Sequence, residues 1–372
     1  MKWALFTFMF GTLISCGREK KETNFTVLQD NSSIPLTLYS LQNTSNLKMT
    51  VTNFGGRIVS LWVPDKDGKL DDIVLGYDSL EEYLLDNSYF GSLIGRYANR
   101  VAKGKFLLEG KEFQLPVNNG VNTLHGGPKG FHNVFWEAKT VSTETGSRLE
   151  LNYLSKDGEA GFPGNLSVKV VYTLTDLNEL VIDYEAITDQ ITIVNLTDHS
   201  YFNLNGEGRG DILNHQLMLN ANLYCPIDDT SIPTGEFRPV IGTPFDFLKP
   251  HSIDEFIDQL DPQLKIGKGY DHNWVLNKDS NELSLAARVS ESASGRVMEL
   301  WTTDIGVQFY SGNFLDGSNK GKVGKPYNFR SAICLETQHF PDTPNKEHFP
   351  PVVLRPGEIY KKSTVYKFSI IK

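Results

Sequence analysis

The chain has only three cysteines in 372 residues, too few for a disulfide-built scaffold, and none has a neighbour at metal-ligand spacing. Basic residues are in deficit: 36 Lys and Arg stand against 45 Asp and Glu, a net charge of −9. That balance argues against a nucleic-acid partner, which needs a basic face for phosphates. It also disfavours docking on anionic lipid. No apolar run is long enough to cross a bilayer as a helix. Missing too are a P-loop, a dinucleotide-binding glycine fingerprint, a His-Glu-x-x-His zinc helix and a Gly-x-Ser-x-Gly elbow. Beyond Phe25 there is no long helical period, and beyond residue 30 no proline- or serine-rich linker. These absences leave one large domain without βαβ alternation.

What is present begins with a leader. Met1-Lys2 precedes an apolar run from Trp3 to Ile14, then Ser15-Cys16-Gly17. A charged start, an apolar core and a small residue at the cut describe a secretory signal. Leu13-Ile14-Ser15-Cys16 resembles a bacterial lipobox, which implies cleavage after residue 15 and acylation of Cys16. A plain signal peptide that contains a cysteine is the alternative. Residues 16–24 then form a charged tether, and residues 25–372 a single domain. The expected address is extracytoplasmic, the bacterial periplasm, with membrane contact only through the lipid. Cys225 and Cys334 either pair there or remain two buried thiols.

The domain reads as strands. Leu166 to Leu174 and Leu180 to Ala186 both alternate apolar and polar residues around Thr175–Asn178, which predicts a hairpin. Phe106–Leu108 and Phe113–Leu115 predict a second. Thr50 to Val63, broken at Gly55-Gly56, suggests two further strands. Short helices are expected at Ser79–Leu85, with Ser79 as N-cap, and at Ile253–Leu260. The pattern is that of a large antiparallel β-sandwich, all-β, with few short helices.

Several clusters concentrate chemistry. Ile333 to Asp342 is an apolar strand with one carboxylate, Glu336, stopped by a proline. Burying a carboxylate raises its pKa and suits it to general-base work; a solvent-facing Glu is the plainer alternative. Asn195–Leu204 packs Asp198, His199, Ser200 and Tyr201 behind a short apolar strand. A histidine is the natural proton donor near neutrality, although a core histidine in a turn would look the same. His125 precedes Gly126-Gly127, which would allow close backbone approach to a ligand. Arg96, Asn99 and Arg100 offer forked donors for hydroxyls, or are merely solvated. Asp271-His272-Asn273-Trp274 joins a carboxylate to a ring that could face a sugar, and Gln308 sits among aromatics. His125, His199, His272 and His339 match no metal motif in their spacing.

The order of these clusters is informative. GRYANRVAKG, NTLHGG, NLTDHSYFNL, YDHNWVL, GVQFYSGNF and LETQHFPDTPN together resemble the aldose 1-epimerase (galactose mutarotase) family, from about Phe25 to the C-terminus. The resemblance implies a β-sandwich with an open cleft that interconverts α and β anomers of free aldoses such as glucose and galactose. No cofactor and no metal are expected, the partner is a monosaccharide, and the protein is expected to act as a monomer. It implies that Glu336 is the base and His199 the acid, with Asn99, Arg100, His125, Asp271 and Gln308 holding the sugar. Arg96 falls outside that set and reads as structural. The family's usual Asn before the acid histidine is here Asp198, an anion expected to raise the pKa of His199. Two readings compete: a β-sandwich glycoside hydrolase pairing Asp271 with Glu336, and a non-catalytic sugar-binding lipoprotein.

Overall fold

The computed structural model describes residues 34–85, 88–143, 146–278 and 281–371. The expected leader, Cys16 and tether lie outside the described residues. Two antiparallel sheets organise the rest. The larger has nine strands, and the predicted hairpin supplies the third and fourth of them. Leu166–Thr175 pairs with Glu179–Thr188, setting Val168 opposite Ala186 and Val170 opposite Tyr184. Alternate residues of both strands are buried, as period-two side chains on one face demand. Asn178 closes the turn at φ 62°, a left-handed conformation that Asn tolerates.

The second sheet has five strands. Its last three in order are Asp271–Val275, Gly306–Tyr310 and Cys334–Gln338. Trp274, Val307, Phe309 and Leu335 project from one face into the main core, where they meet Val168, Val170 and Tyr172 of the large sheet. The pleat sends Asp271, Asn273, Gln308 and Glu336 to the opposite face. Asn273 stands opposite Gln308, and Gln308 opposite Glu336. One alternation therefore builds both the core and the row of polar groups. The predicted apolar strand with an embedded carboxylate is observed, buried along its full length.

The other strand expectations hold: Lys105–Leu108 pairs with Lys111–Gln114, and Lys48–Thr52 with Ile58–Pro64. The helix Leu80–Leu85 forms, with a Glu82 carboxylate oxygen accepting the Ser79 N–H at 3.1 Å. The helix expected over Ile253–Leu260 is only Asp254–Ile257. A further helix, Pro262–Gly267, was not anticipated, although its start is legible in Asp261-Pro262. The Asp261 carboxylate caps Gln263 N and Leu264 N, and proline occupies the first turn. No helix among the described residues is long and apolar enough to cross a membrane. Cys225 and Cys334 are both buried and unpaired, which settles the thiol question against a bridge.

Candidate active site

A cleft of about 660 Å³ opens over the polar face of the five-stranded sheet. Asn99, Arg100, His125, His199, Asp271 and Glu336 all contribute to its lining, so six of the seven residues expected to act on a sugar converge here. Gln308 shares the same polar face, opposite Glu336 in register, and donates from Nε2 to Asp271 Oδ1 at 2.7 Å. Arg100 reaches the other oxygen of Asp271 at 3.5 Å and donates from Nε to Asn119 Oδ1 at 3.2 Å.

His199 and Glu336 form the floor. His199 ends the strand Thr197–His199, which pairs with Ser92–Ile94. That strand is tied to the Glu336 strand by reciprocal bonds between Phe202 and Ile333, at 2.7 and 2.9 Å. His199 Nε2 lies 3.6 Å from Glu336 Oε1. Glu336 Oε2 and His199 Nδ1 are buried with no hydrogen-bond partner among the described residues. Such atoms are costly unless another molecule satisfies them.

The electrostatics differ for the two groups. Burial first, then the Asp271 and Asp198 carboxylates, push Glu336 well above the usual carboxylate range. Burial pulls His199 down to about 3, assisted by the Arg57 guanidinium. The expectation that Asp198 would raise His199 is therefore not met. Adjacent strand residues face opposite ways, and Asp198 points into the core, where Tyr366 Oη donates to its carboxylate at 3.1 Å. Asp198 itself is raised to about 6 by burial.

Asn99 and His125 build one wall as a unit. The Asn99 N–H donates to His125 Nδ1 at 3.2 Å, and the His125 N–H donates to Asn99 O at 3.0 Å. Both residues sit at positive φ, 63° and 52°, uncommon for non-glycine residues and typical of constrained functional positions. With Nδ1 accepting, neutral His125 carries its proton on Nε2. Donor atoms of His125, His199 and Glu336 lie within 4.8 Å of one another. A protonated Nε2 suits hydrogen-bond donation to an oxygen better than ligation of a metal. Gly126 serves the scaffold rather than a ligand: a Cβ there would stand 2.0 Å from Gly95 O.

Other candidates fall away from the cleft. Trp274 is fully buried and donates to Phe245 O at 3.1 Å, so it offers no face to a sugar. The ring nitrogen of His272 accepts the Asp271 N–H, and His339 pairs with Asp304. Cys334 shares the Glu336 face but is covered among Tyr201 and Tyr310. Arg96 is structural, as expected, donating to the carbonyls of Ser155, Lys156, Pro163 and Gly164. Two residues were missed. Tyr201 shares the His199 face two positions on, a signal available in the sequence. Tyr89 had no local signal. It folds back beside His199 through Gly91, whose N–H donates to His199 O at 3.0 Å.

An antiparallel sandwich with a buried histidine–glutamate pair at the floor of a polar cleft fits a carbohydrate-directed enzyme. The sequence model of the aldose 1-epimerase family matches residues 37–367, and the chain belongs to that family. The chain is 47% identical over 332 residues to galactose mutarotase of Bos taurus, covering 89% of this chain and 94% of that one. It is 37% identical over 337 residues to aldose 1-epimerase of Escherichia coli, covering 90% and 95%. The solved aldose epimerase homologue from C. elegans superposes with a TM-score of 0.83 at 32% identity, covering 91% of this chain and all of that one. Galactose 1-epimerase from Lactobacillus acidophilus gives 0.82 at 26%, covering 95% and 100%. The protein is a mutarotase, an isomerase of carbohydrate metabolism.

Proposed function

We propose that Glu336 and His199 interconvert the anomers of a free aldose, galactose or glucose, as general base and general acid. The observation that carries this is the buried pair, 3.6 Å apart, at the lining of the polar cleft. The competent form has Glu336 ionised and His199 protonated. Glu336 takes the proton from the anomeric hydroxyl while His199 gives one to the ring oxygen. The C1–O5 bond breaks and the aldehyde forms. The chain now holds its one proton on Glu336. Rotation about C1–C2 presents the other carbonyl face, and the two transfers reverse. His125 donates from Nε2 on the ring-oxygen side, and Asn99, Arg100, Asp271 and Gln308 hold hydroxyls, with Gln308 also orienting Asp271 by its hydrogen bond.

Polarimetry of fresh α-D-galactose and α-D-glucose tests the assignment. Glu336→Gln and His199→Ala should each lose about 10²–10⁴-fold. Rates near wild type in both variants would overturn it. The hydrolase reading needs Asp271 as a second working carboxylate. Both Asp271 oxygens are already engaged, by Gln308 and Arg100, which favours a sugar-holding role.

The second part of the proposal concerns location. The leader pattern supports export and acylation of Cys16, with the monomeric enzyme held at the periplasmic face of a membrane. Cys16→Ala should move the protein from the membrane fraction to the soluble fraction. Retention in the membrane fraction would count against the anchor.

A further inference from the structure

His199 must carry a proton on a buried ring, and its surroundings do little to keep it there. Arg57 repels the cation. Asp198, next along the strand, is turned to the core and bound by Tyr366. His125 meets the ring edge-on at 5.1 Å. Glu336 is the anion within reach, and it becomes neutral in the same step in which His199 acts. What remains beside the imidazole is aromatic. The Tyr201 ring lies 4.9 Å away at 23° and the Tyr89 ring 5.6 Å away at 24°. Both are nearly parallel to His199. The face of an aromatic ring is its negative pole and attracts a cation within about 6 Å. An imidazolium gains from this more than a neutral imidazole does.

We infer that Tyr89 and Tyr201 form an aromatic clamp that holds the catalytic proton on His199, with both tyrosines acting as positioning residues for the acid. The inference deepens the acid role proposed for His199 and rests on it. Tyr89 is the more informative half. It lines the cleft, whereas Tyr201 is also part of a buried cluster with Phe90 and Tyr310. Tyr89 is held in place by edge contacts to His125 at 4.7 Å and His132 at 4.8 Å. The turn behind it depends on Gly91 at φ 62°, where a Cβ would meet Ile58 O at 2.1 Å. Stacking, rather than the hydroxyl, is the property the clamp requires.

The test separates ring from hydroxyl. Tyr89→Leu should lower kcat/KM about tenfold, mainly in kcat. It should also move the His199 limb of the pH–rate profile to lower pH. A ¹⁵N NMR titration of the His199 ring in the folded variant should show the same fall in proton affinity. Tyr89→Phe keeps the ring and should rescue both rate and profile. A Tyr89→Phe loss as large as that of Tyr89→Leu would assign the hydroxyl to the sugar and overturn the clamp. So would a Tyr89→Leu profile that superposes on wild type. Should Tyr89→Leu fail to fold, Tyr201→Phe against Tyr201→Leu makes the same comparison. Full activity in His199→Ala would strike down the acid role itself, a result distinct from failure of the clamp alone.

Discussion

The strands Thr197–His199 and Cys334–Gln338 each have a cleft side and a core side, and the two sides are treated differently. On the cleft side, His199 Nδ1 and Glu336 Oε2 are buried and unpartnered. On the core side, Tyr366 Oη is shared between the Asp198 carboxylate at 3.1 Å and Leu335 O at 3.2 Å. Thr337 Oγ1 meets Thr364 Oγ1 at 2.5 Å. The same pleat, one residue out of phase, separates Asp198 and Thr337, which are bonded in the core, from His199 and Glu336, which line the cleft. Arg96 and Arg100, four residues apart, repeat the contrast. Arg96 donates to four backbone carbonyls, whereas Arg100 stands in the cleft wall beside Asp271.

The largest expected effect lies on the cleft side. Glu336→Gln should remove about 10²–10⁴-fold of activity while leaving the melting temperature unchanged or higher, because a neutral amide removes a charge that burial disfavours. A marked fall in melting temperature would show that Glu336 also holds the frame, and would break the comparison. Arg96→Met is the mirror case. Several buried carbonyls lose a charged donor, so stability should fall by roughly 3 kcal/mol or more in chemical denaturation, with KM unchanged in the folded fraction. Arg100→Met should do the reverse, raising KM about tenfold with little change in melting.

Much of this contrast was legible in the sequence. Strand positions followed from period two, because a sandwich strand has one buried face and shows it every second residue. Glu336 stood out as a carboxylate in an apolar strand, and His199 followed from its loop and from the family resemblance. What was not legible depends on side-chain direction and on non-local approach. Asp198 was read as a neighbour of His199, which it is along the chain, but the pleat turns it away. Trp274 was read as a possible sugar platform, yet its register places it with Phe309 in the core. Tyr89 reaches His199 across a strand pairing that no local pattern announces.

Asp198→Asn sharpens the comparison with a smaller, pH-dependent effect. Burial raises Asp198 from the ordinary 3.8 to about 6. The folded protein therefore binds the proton more tightly than the unfolded chain. The stabilising contribution is complete below the unfolded value and is lost as pH rises through about 6. Asn carries no charge to bury and keeps an acceptor for Tyr366. The variant should gain stability over wild type as pH rises across that window, on the order of 2–3 kcal/mol. Activity should respond as well. The Asp198 anion is one of the charges that raise Glu336, so its removal should shift the Glu336 limb of the pH–rate profile to lower pH. Equal stability differences above and below the window would mean that Asp198 does not titrate there.

Tyr366→Phe carries the smallest expected effect and is the most specific. The hydroxyl has a single proton and two acceptors, Asp198 and Leu335 O. When Asp198 is ionised, the proton goes to the carboxylate. When Asp198 is protonated, it can donate to Tyr366, freeing the tyrosine proton for Leu335 O, beside Glu336. Deleting the hydroxyl removes a group that lowers the Asp198 pKa, so that pKa should climb further. The stability cost should be about 1 kcal/mol, larger above pH about 6 than below it. A cycle with Asp198→Asn isolates the pair. A coupling near zero at every pH would mean that the hydroxyl serves Leu335 alone. A coupling that grows with pH would show that the core side of these strands titrates one residue away from the cleft side and tunes Glu336 through charge.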